Sequence, residues 1–214
     1  ATVDIIHNVD HYPLENSEQR ALTQSQQRGG NVTNSLVVLS QLGHHCSWAG
    51  SYADDIASQI IRQDLQHHAI DFSASYCQQG ASTPLATIIR NKNSRTVIHY
   101  RDLDEYAYEH FCKIDLSHFD WLHFEGRNVG ETRKMIEYAR GAVPELPISI
   151  EIEKQREHID TLFPLVDLCL FSKGYAQTNG YTDAHQFLTS LSRQVSGVDL
   201  VCAWGDRGAS ACYR

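Results

Sequence analysis

Short apolar runs alternate with longer segments of helical periodicity through the second half of the chain. Four runs are typical of buried strands: residues 119–126 (FDWLHFEG), 147–153 (PISIEIE), 166–172 (VDLCLFS) and 198–204 (VDLVCAW). Helical patterns separate them, at residues 131–142, 156–163 and 183–195. Strands that alternate with helices predict a mainly parallel sheet that is flanked by helices on both faces.

The first half of the chain departs from this alternation. Residues 83–102 (TPLATIIRNKNSRTVIHYRD) form two β-rich runs around the polar turn NKNS, which predicts a hairpin. Residues 3–13 and 20–27 are also strand-like and precede the first helical pattern. We therefore predict a second, small antiparallel sheet from segments at about 5–29 and 83–102, and such a sheet usually serves as a lid.

A strand and a helix are predicted between these two segments. Residues 46–53 (CSWAGSYA) predict a strand and its exit, and residues 54–68 predict a helix whose apolar stripe is Ile56, Ile60, Ile61 and Leu65. Asp54 and Asp55 in its first turn suit the positive end of the helix dipole. The predicted fold class is α/β, with a single domain over residues 1–214.

Composition excludes several classes of protein. The net charge of -8, with no Lys/Arg-rich block, argues against a nucleic-acid partner. No apolar run approaches the roughly 18 residues of a membrane span, and residues 1–13 do not resemble a signal peptide. None of the 6 cysteines pairs at C-x-x-C spacing, which argues against a zinc site. We expect a reduced, cytoplasmic protein with no membrane partner.

Residues 27–43 (QRGGNVTNSLVVLSQLG) are the first candidate site. Gly29 and Gly30 permit close approach of the backbone, and Asn31 is a good N-cap for the apolar helix that follows. Asn31 and Asn34 share a helix face, and each amide both donates and accepts hydrogen bonds, as sugar hydroxyls do. A phosphate cradle is less favoured because no P-loop or G-x-G-x-x-G pattern occurs, and the NVT sequon needs a secretory route. A capped helix with a tight turn remains an alternative.

Other charged residues follow predicted strands. Asp4 lies in the first apolar run, where a carboxylate could bind two vicinal hydroxyls or be an exposed acid on a short edge. Glu125, Arg127 and Lys173 come directly after apolar strands, where α/β sheets often carry their sites, although solvated loops have the same pattern. His123 lies within an apolar run and is interpreted as a core histidine rather than a ligand.

Taken together, these segments resemble the PfkB (ribokinase-like) family of sugar kinases, and within it the ketohexokinases. The stretches that carry the resemblance span nearly the whole chain in the family's order: VDIIHNVDHYPLENSEQR, QRGGNVTNSLVVLSQLG, STPLATIIRNKNSRTVIHY, WLHFEGRN, SIEIEKQRE, FSK and LVCAWGDRGA. The resemblance implies a parallel sheet with a β-lid and a homodimer clasped through the lids. It also implies ATP-dependent phosphorylation of a ketose such as fructose, with Mg²⁺ bridging the ATP phosphates.

The resemblance also assigns roles to residues by position. Those that match sugar-binding residues are Asp4, Gly30, Asn31 and Asn34. Those that match nucleotide-binding residues are Arg95 in the hairpin and the loop formed by Gly205, Asp206, Arg207 and Gly208. Glu125 and Lys173 occupy site-facing positions, which the resemblance implies are on the substrate and nucleotide sides respectively.

The sequence departs from the family in several places. The family's final signature, D-T-x-G-A-G-D-x-F, does not occur, and it supplies both an anion hole and the Asp that accepts the sugar's proton. The family's first core strand should precede ATVD, so we expect a domain that is incomplete at both ends. Asn16 stands where ketohexokinases carry an Asp, Arg207 replaces an acid, and Ala176 stands where many relatives have a Glu. Two functions are open: an incompletely represented kinase, or a non-catalytic short form that binds sugar or nucleotide.

We expect the 214-residue chain alone to show no ATP-dependent phosphorylation of a ketose above background, since the sequence lacks the signature that carries the base. A coupled assay of ADP release with fructose as substrate tests this expectation. Substantial turnover would show that the base is present elsewhere in the chain.

Overall fold

The computed structural model of the protein describes residues 1–213. The chain separates into two compact units, Ala1–Tyr106 and Ala107–Arg214, each built around a β-sheet of its own. The single domain expected over residues 1–214 stays a prediction.

The first unit holds a four-stranded sheet of order β2-β1-β5-β6 and a pair of short strands, β3 and β4. Its elements are β1 (Thr2–Asn8), β2 (Thr23–Gly29), α1 (Asn31–Gln41), β3 (Ser51–Ala53), α2 (Ser58–His67), β4 (Tyr76–Gln78), β5 (Ser82–Arg90) and β6 (Arg95–Asp102). The segments that the sequence assigned to a small sheet thus lie together in one sheet. Whether this sheet acts as a lid stays a prediction.

This sheet is mixed, whereas the sequence pattern predicted an antiparallel one. The pairs β1–β2 and β5–β6 are antiparallel, but β1 and β5 run parallel. The physical reason is the connection between them: the chain leaves β1, passes through both helices and returns to lay β5 beside β1 in the same direction. Parallel neighbours need such a long crossover, whereas a hairpin joins antiparallel strands.

The core of the first unit packs the two helices against the sheet. Ile61 and Leu65 of α2 are buried with Val3 of β1 and with Trp48. Ile56 does not belong to this stripe, contrary to the sequence analysis, because it is 83% exposed and precedes the first turn of α2. The predicted apolar stripe is therefore correct from Ile60 onward, and the predicted helix begins too early.

The second unit is the parallel α/β structure that the sequence pattern predicted. Its sheet has the order β11-β10-β9-β8-β7, in which β7 to β10 run parallel and β11 is antiparallel to β10. Its elements are α3 (Tyr108–Phe111), β7 (Leu122–Glu125), α4 (Val129–Ala142), β8 (Ile148–Ile152), β9 (Leu168–Phe171), α5 (Lys173–Thr178), α6 (Ala184–Leu191), β10 (Asp199–Ala203) and β11 (Ala209–Cys212). Short 3₁₀ helices lie at Leu116–His118, Ile159–Leu165 and Gly205–Arg207.

Two local features of the second unit differ from the sequence prediction. The helix expected over residues 156–163 is a 3₁₀ helix that contains Pro164, whose missing N–H prevents a regular α-helical ladder there. The short helix α5, which begins at Lys173 directly after β9, was not predicted. Ser172 starts it by accepting a hydrogen bond from the backbone N–H of Tyr175 at 2.9 Å.

The start of α2 is fixed by the carboxylate of Asp55. Its Oδ1 accepts hydrogen bonds from the backbone N–H of Ser58 (2.8 Å) and the hydroxyl of Thr83 (2.5 Å), and its Oδ2 accepts from the Thr83 N–H (2.8 Å). Burial by itself raises the pKa of Asp55, but the hydrogen bonds from Thr83 and Ser58 outweigh burial, so that the pKa is lowered. The charged form is therefore favoured in the folded chain.

We expect Asp55→Asn to lower the free energy of unfolding by about 1–3 kcal/mol at pH 7, because two N–H groups and a hydroxyl lose a charged acceptor. A lowered pKa contributes stability that is present above the unfolded value of about 3.9 and is lost as pH falls through the folded value. The deficit of Asp55→Asn should therefore shrink on acidification below about pH 4. Urea unfolding across pH measures it.

The neighbouring Asp54 is exposed and provides the matched control, since Asp54→Asn removes the same charge without those three bonds. A deficit in Asp55→Asn that is equal at neutral and acidic pH, or equal to that of Asp54→Asn, would contradict the assignment.

Candidate functional site

The carboxylate of Asp4 lies close to the backbone at the end of β2. Asp4 is on β1, and Thr2, two residues earlier on the same strand, is paired with Gly29. The Thr2 hydroxyl donates a hydrogen bond to Asp4 Oδ1 at 3.0 Å. A Cβ atom at Gly29 would come within 2.5 and 2.6 Å of the two Asp4 carboxylate oxygens and within 2.6 Å of Thr2 Oγ1. Gly29 therefore provides the space that the Asp4 carboxylate occupies.

Gly30 serves a different purpose, which is to turn the chain from β2 into α1. Its φ of +118° lies in the region that favours glycine, and an added Cβ would lie 3.0 Å from Thr33 Oγ1. Gly30 is also the N-cap of α1, which corrects the expectation that Asn31 fills that place. Asn31 is instead the first residue of the helix, and Thr33 donates its hydroxyl to the Gly30 carbonyl at 3.1 Å.

Asn34 is linked to a residue that the sequence analysis missed. The NH1 of Arg28 donates to Asn34 Oδ1 at 2.9 Å and to Thr33 Oγ1 at 2.8 Å, and its Nε donates to Asp64 Oδ2 at 2.5 Å. The Arg28 side chain is only 6% exposed. It was missed because it ends a run of polar residues, 23–28, in which no periodic pattern marks one position as buried.

Arg95 lies apart from the Asp4 region of the same sheet. It is exposed at the start of β6 and pairs with Arg90, which in turn lies opposite Asn8 of β1. Asn8 is four residues beyond Asp4, about 13 Å along the strand. The structure therefore brings Asp4, Gly30, Asn31 and Asn34 to one end of the sheet and leaves Arg95 near the other.

In the second unit, Glu125 lies at the carboxyl end of β7 and takes part in a small charge network. The Nε of Arg127 is 3.3 Å from Glu125 Oε2, and its NH2 is 3.9 Å from Oε2 of Glu153, which follows β8. Gly126 lies between Glu125 and Arg127 and allows the ends of β7 and β8 to stay close, because a Cβ there would lie 2.9 Å from the Glu151 carbonyl oxygen. Glu125 and Arg127 thus occupy the edge of a parallel sheet at which α/β proteins bind ligands.

Lys173 and Arg207, which the sequence assigned separately to a nucleotide, converge on one aromatic ring. Lys173 Nζ lies 5.9 Å and Arg207 Cζ 5.5 Å from the ring centroid of Trp204, which is 3% exposed. Both distances are within the range of cation–π attraction. The sequence analysis did not predict a role for Trp204. The signal that could have identified it is an aromatic residue at the end of a buried strand, directly before a glycine.

The loop from Gly205 to Gly208 is a tight turn between β10 and β11. Gly205 and Gly208 have φ values of +66° and +82°, which L side chains rarely adopt. The N–H of Trp204 donates to the Gly208 carbonyl at 2.7 Å, and the N–H of Gly208 donates to the Gly205 carbonyl at 3.0 Å. Asp206 and Arg207 are exposed at the tip.

Neither His123 nor the cysteines show a metal-binding arrangement. His123 Nδ1 lies 2.8 Å from the hydroxyl of Ser149, and burial lowers the pKa of this histidine, as suits a structural role. Burial raises the pKa of Cys169 to about 12 and that of Cys202 to about 11, so both stay as thiols at neutral pH. Within residues 1–213 there is no group of three or more His, Cys, Asp or Glu side chains that could hold a metal ion.

A comparison with known families decides the relationship of this chain. The pattern of the family described as pfkB family carbohydrate kinase matches residues 1–171. This chain belongs to that family. It is accordingly an ATP-dependent carbohydrate kinase by family, with the α/β fold predicted from its sequence.

Individual relatives agree with this assignment. Ketohexokinase from Mus musculus is 39% identical over 219 residues, an alignment that covers 98% of this chain and 74% of the mouse protein. Among solved structures, a putative ribokinase from Agrobacterium tumefaciens superposes with a TM-score of 0.84 at 18% identity, covering 99% of this chain and 70% of that one. Ribokinase from Cryptococcus neoformans var. grubii serotype A in complex with ADP gives 0.78 at 12% identity, covering 99% and 73%. At these identities the structures establish the fold alone.

The described part of this pfkB-family chain, residues 1–213, contains no helix that is long and apolar enough to cross a membrane.

We expect Gly29→Ala to lower the free energy of unfolding by about 1–3 kcal/mol, because the new methyl group must displace the Asp4 carboxylate or the Thr2 hydroxyl. The same substitution in an Asp4→Ala background should cost less, since the obstructing carboxylate is gone. Chemical denaturation of the two single variants and the double variant measures the coupling.

Gly130 in α4 gives a matched control, because nothing lies within 4 Å of a Cβ added there. Gly130→Ala should be neutral or slightly stabilising, as helix glycines usually are when replaced by Ala. Equal costs of Gly29→Ala with and without Asp4 would show that the close contact does not govern this position.

Proposed function

We propose that this pfkB-family chain acts on a ketose of the fructose type, with ATP as the phosphoryl donor. The observation that carries the proposal is the placement of Asp4, Asn31 and Asn34 at one end of the first unit's sheet, in a chain that is 39% identical to a ketohexokinase. A carboxylate accepts hydrogen bonds from hydroxyls, and amides both donate and accept. Together these groups suit a polyol with several adjacent hydroxyls.

The nucleotide residues of the proposal are Lys173 and the Gly205–Gly208 turn in the second unit, and Arg95 in the first. Lys173 and Arg207 bring two positive charges to Trp204, and positive charges neutralise the phosphates of ATP. Phosphoryl transfer depends mainly on positioning and on such charge neutralisation. Glu125 is proposed as a substrate-side residue, held in place by its ion pair with Arg127.

Mg²⁺ is included in the proposal as a companion of ATP. Since residues 1–213 offer no cluster of three metal-binding side chains, the ion would be held largely by the phosphates and water, as Mg²⁺ commonly is in kinases. It would supply charge neutralisation between the phosphates. The protein's own part is to bind the sugar and the phosphate oxygens.

None of these residues is proposed as the catalytic base. The sequence contains no G-A-G-D, the segment that supplies the base in the family it resembles. Asp4 is proposed to bind hydroxyl groups of the sugar rather than to take the reacting proton. The second candidate function is a form that binds sugar or nucleotide without turnover, and detectable phosphorylation by the chain would exclude it.

We further propose that a second copy of the chain docks along β6. This strand is at the edge of its sheet, and its Val97, Ile98 and Tyr100 are 48%, 62% and 58% exposed. An edge strand with exposed apolar side chains is a favourable surface for pairing with another chain. A chain that sediments only as a monomer at micromolar concentration would contradict this proposal.

The proposed location is the cytoplasm. All 6 cysteines are free thiols, which supports a reducing compartment. Imaging of the tagged protein in cells tests the location, and accumulation in the secretory pathway would contradict it.

Asn31→Ala should weaken ketose binding more than ATP binding, by about 1–3 kcal/mol, because a polar site loses an amide that pairs with a hydroxyl. Isothermal titration calorimetry with D-fructose and with ATP measures both affinities. Gln41→Ala, an exposed amide at the other end of α1, is the matched control and should change neither. An equal loss for both ligands in Asn31→Ala would reject the sugar assignment.

A further inference from the structure

The buried guanidinium of Arg28 contacts the start of α1 and the middle of α2. It donates hydrogen bonds to Asn34 and Thr33 on α1 and to Asp64 on α2. Asp64 also supplies the opposing charge, and the pair is largely removed from water, with side chains 6% and 32% exposed. Such a buried charge keeps its position because moving it would leave charged donors without acceptors.

The chemistry of the guanidinium fixes which way the Asn34 amide faces. Arginine has only N–H donors, so the Asn34 atom that lies 2.9 Å from NH1 must be the carbonyl oxygen. Reversing the amide would set NH₂ against N–H, two donors without an acceptor. The orientation of the amide therefore follows from hydrogen-bond chemistry.

The other end of the amide is available for a ligand. The Asn34 residue is exposed, and its Nδ2 has no hydrogen-bond partner within residues 1–213. With its oxygen engaged, Asn34 offers a pure donor to whatever approaches α1. In contrast, the charged carboxylate of Asp4 offers only hydrogen-bond acceptors. A hydroxyl group that meets both residues must accept from one and donate to the other.

We propose that Arg28 is a positioning residue that holds the Asn34 amide with its NH₂ group presented to the sugar. This inference rests on the proposed function, in which Asn34 contacts the ketose. Arg28 itself touches no substrate. It acts by removing the alternative orientation of the amide, in which Asn34 would present an acceptor and repel the hydroxyl oxygen that the donor attracts.

The first experiment needs no sugar. The ¹⁵N relaxation of the Asn34 side-chain amide, assigned by its disappearance in Asn34→Asp, should show a rigid NH₂ group in the parent chain. Arg28→Lys should make it mobile, because an ammonium group cannot reach the same set of acceptors in a fixed fork. Thr33→Val is the matched control, since it removes another contact of Arg28 and should leave the Asn34 amide rigid.

Arg28→Lys could fail to fold, and Asp64→Asn then takes its place because it keeps the guanidinium and removes only the charge opposite to it. Circular dichroism establishes which variants are folded. An Asn34 amide that stays rigid in the folded Arg28→Lys or Asp64→Asn chain would overturn the positioning role.

The second experiment separates this role from the proposed function. D-Fructose affinity should fall about fivefold or more in Arg28→Lys and in Asn34→Asp, which keeps a partner for Arg28 but has no donor, while ATP affinity is unchanged. If the amide becomes mobile in Arg28→Lys and neither variant changes D-fructose affinity, Arg28 positions Asn34 but the sugar assignment is wrong. If the fructose losses appear with a rigid amide, the sugar assignment stands and the positioning role is wrong.

Discussion

The first unit is organised around the need to satisfy one buried positive charge. Taking a guanidinium out of water costs several kcal/mol unless charged and polar acceptors surround it. Arg28 finds those acceptors on two helices, so β2, α1 and α2 must all come within reach of a single side chain. These contacts link the end of β2, the start of α1 and α2, which is the region where Gly29, Gly30 and the amides lie near Asp4.

The second unit is built mainly on parallel strands. The charged residues at the amino ends of these strands have other contacts than those at the carboxyl ends. At the amino ends of the strands, Asp167 accepts hydrogen bonds from Arg140 NH2 at 2.7 Å and from the backbone N–H of Ile148 at 2.8 Å. At the carboxyl ends lie Glu125, which is half-buried, and Lys173, which is exposed. The amino ends of these strands therefore carry an ion pair that stabilises the fold, and the carboxyl ends carry the residues that we propose to bind ligands.

Hydrophobic periodicity was sufficient to predict most of the strands and helices and the relative placement of two proposed site residues. The strands β7 to β10 and the β5–β6 hairpin follow from apolar patterns, and the shared face of Asn31 and Asn34 follows from helical spacing. The cap was placed at Asn31 because Asn is a favoured N-cap residue, whereas the structure uses Gly30, whose positive φ turns the chain from β2 into α1. Periodicity cannot identify Arg28, because the interaction that buries this charge joins residues 28 and 64, which are distant in sequence. Trp204 was missed for a similar reason, since its role emerges only when β9 and β10 bring Lys173 beside it.

In the turn between β10 and β11, the path of the backbone does not depend on the side chains at the tip. Its shape depends on the positive φ values of two glycines and on hydrogen bonds between main-chain atoms alone. The side chains at positions 206 and 207 are therefore not needed to form it. A substitution at position 206 or 207 therefore leaves the main-chain hydrogen bonds of the turn in place. Charge at this position can thus change independently of the backbone of the turn.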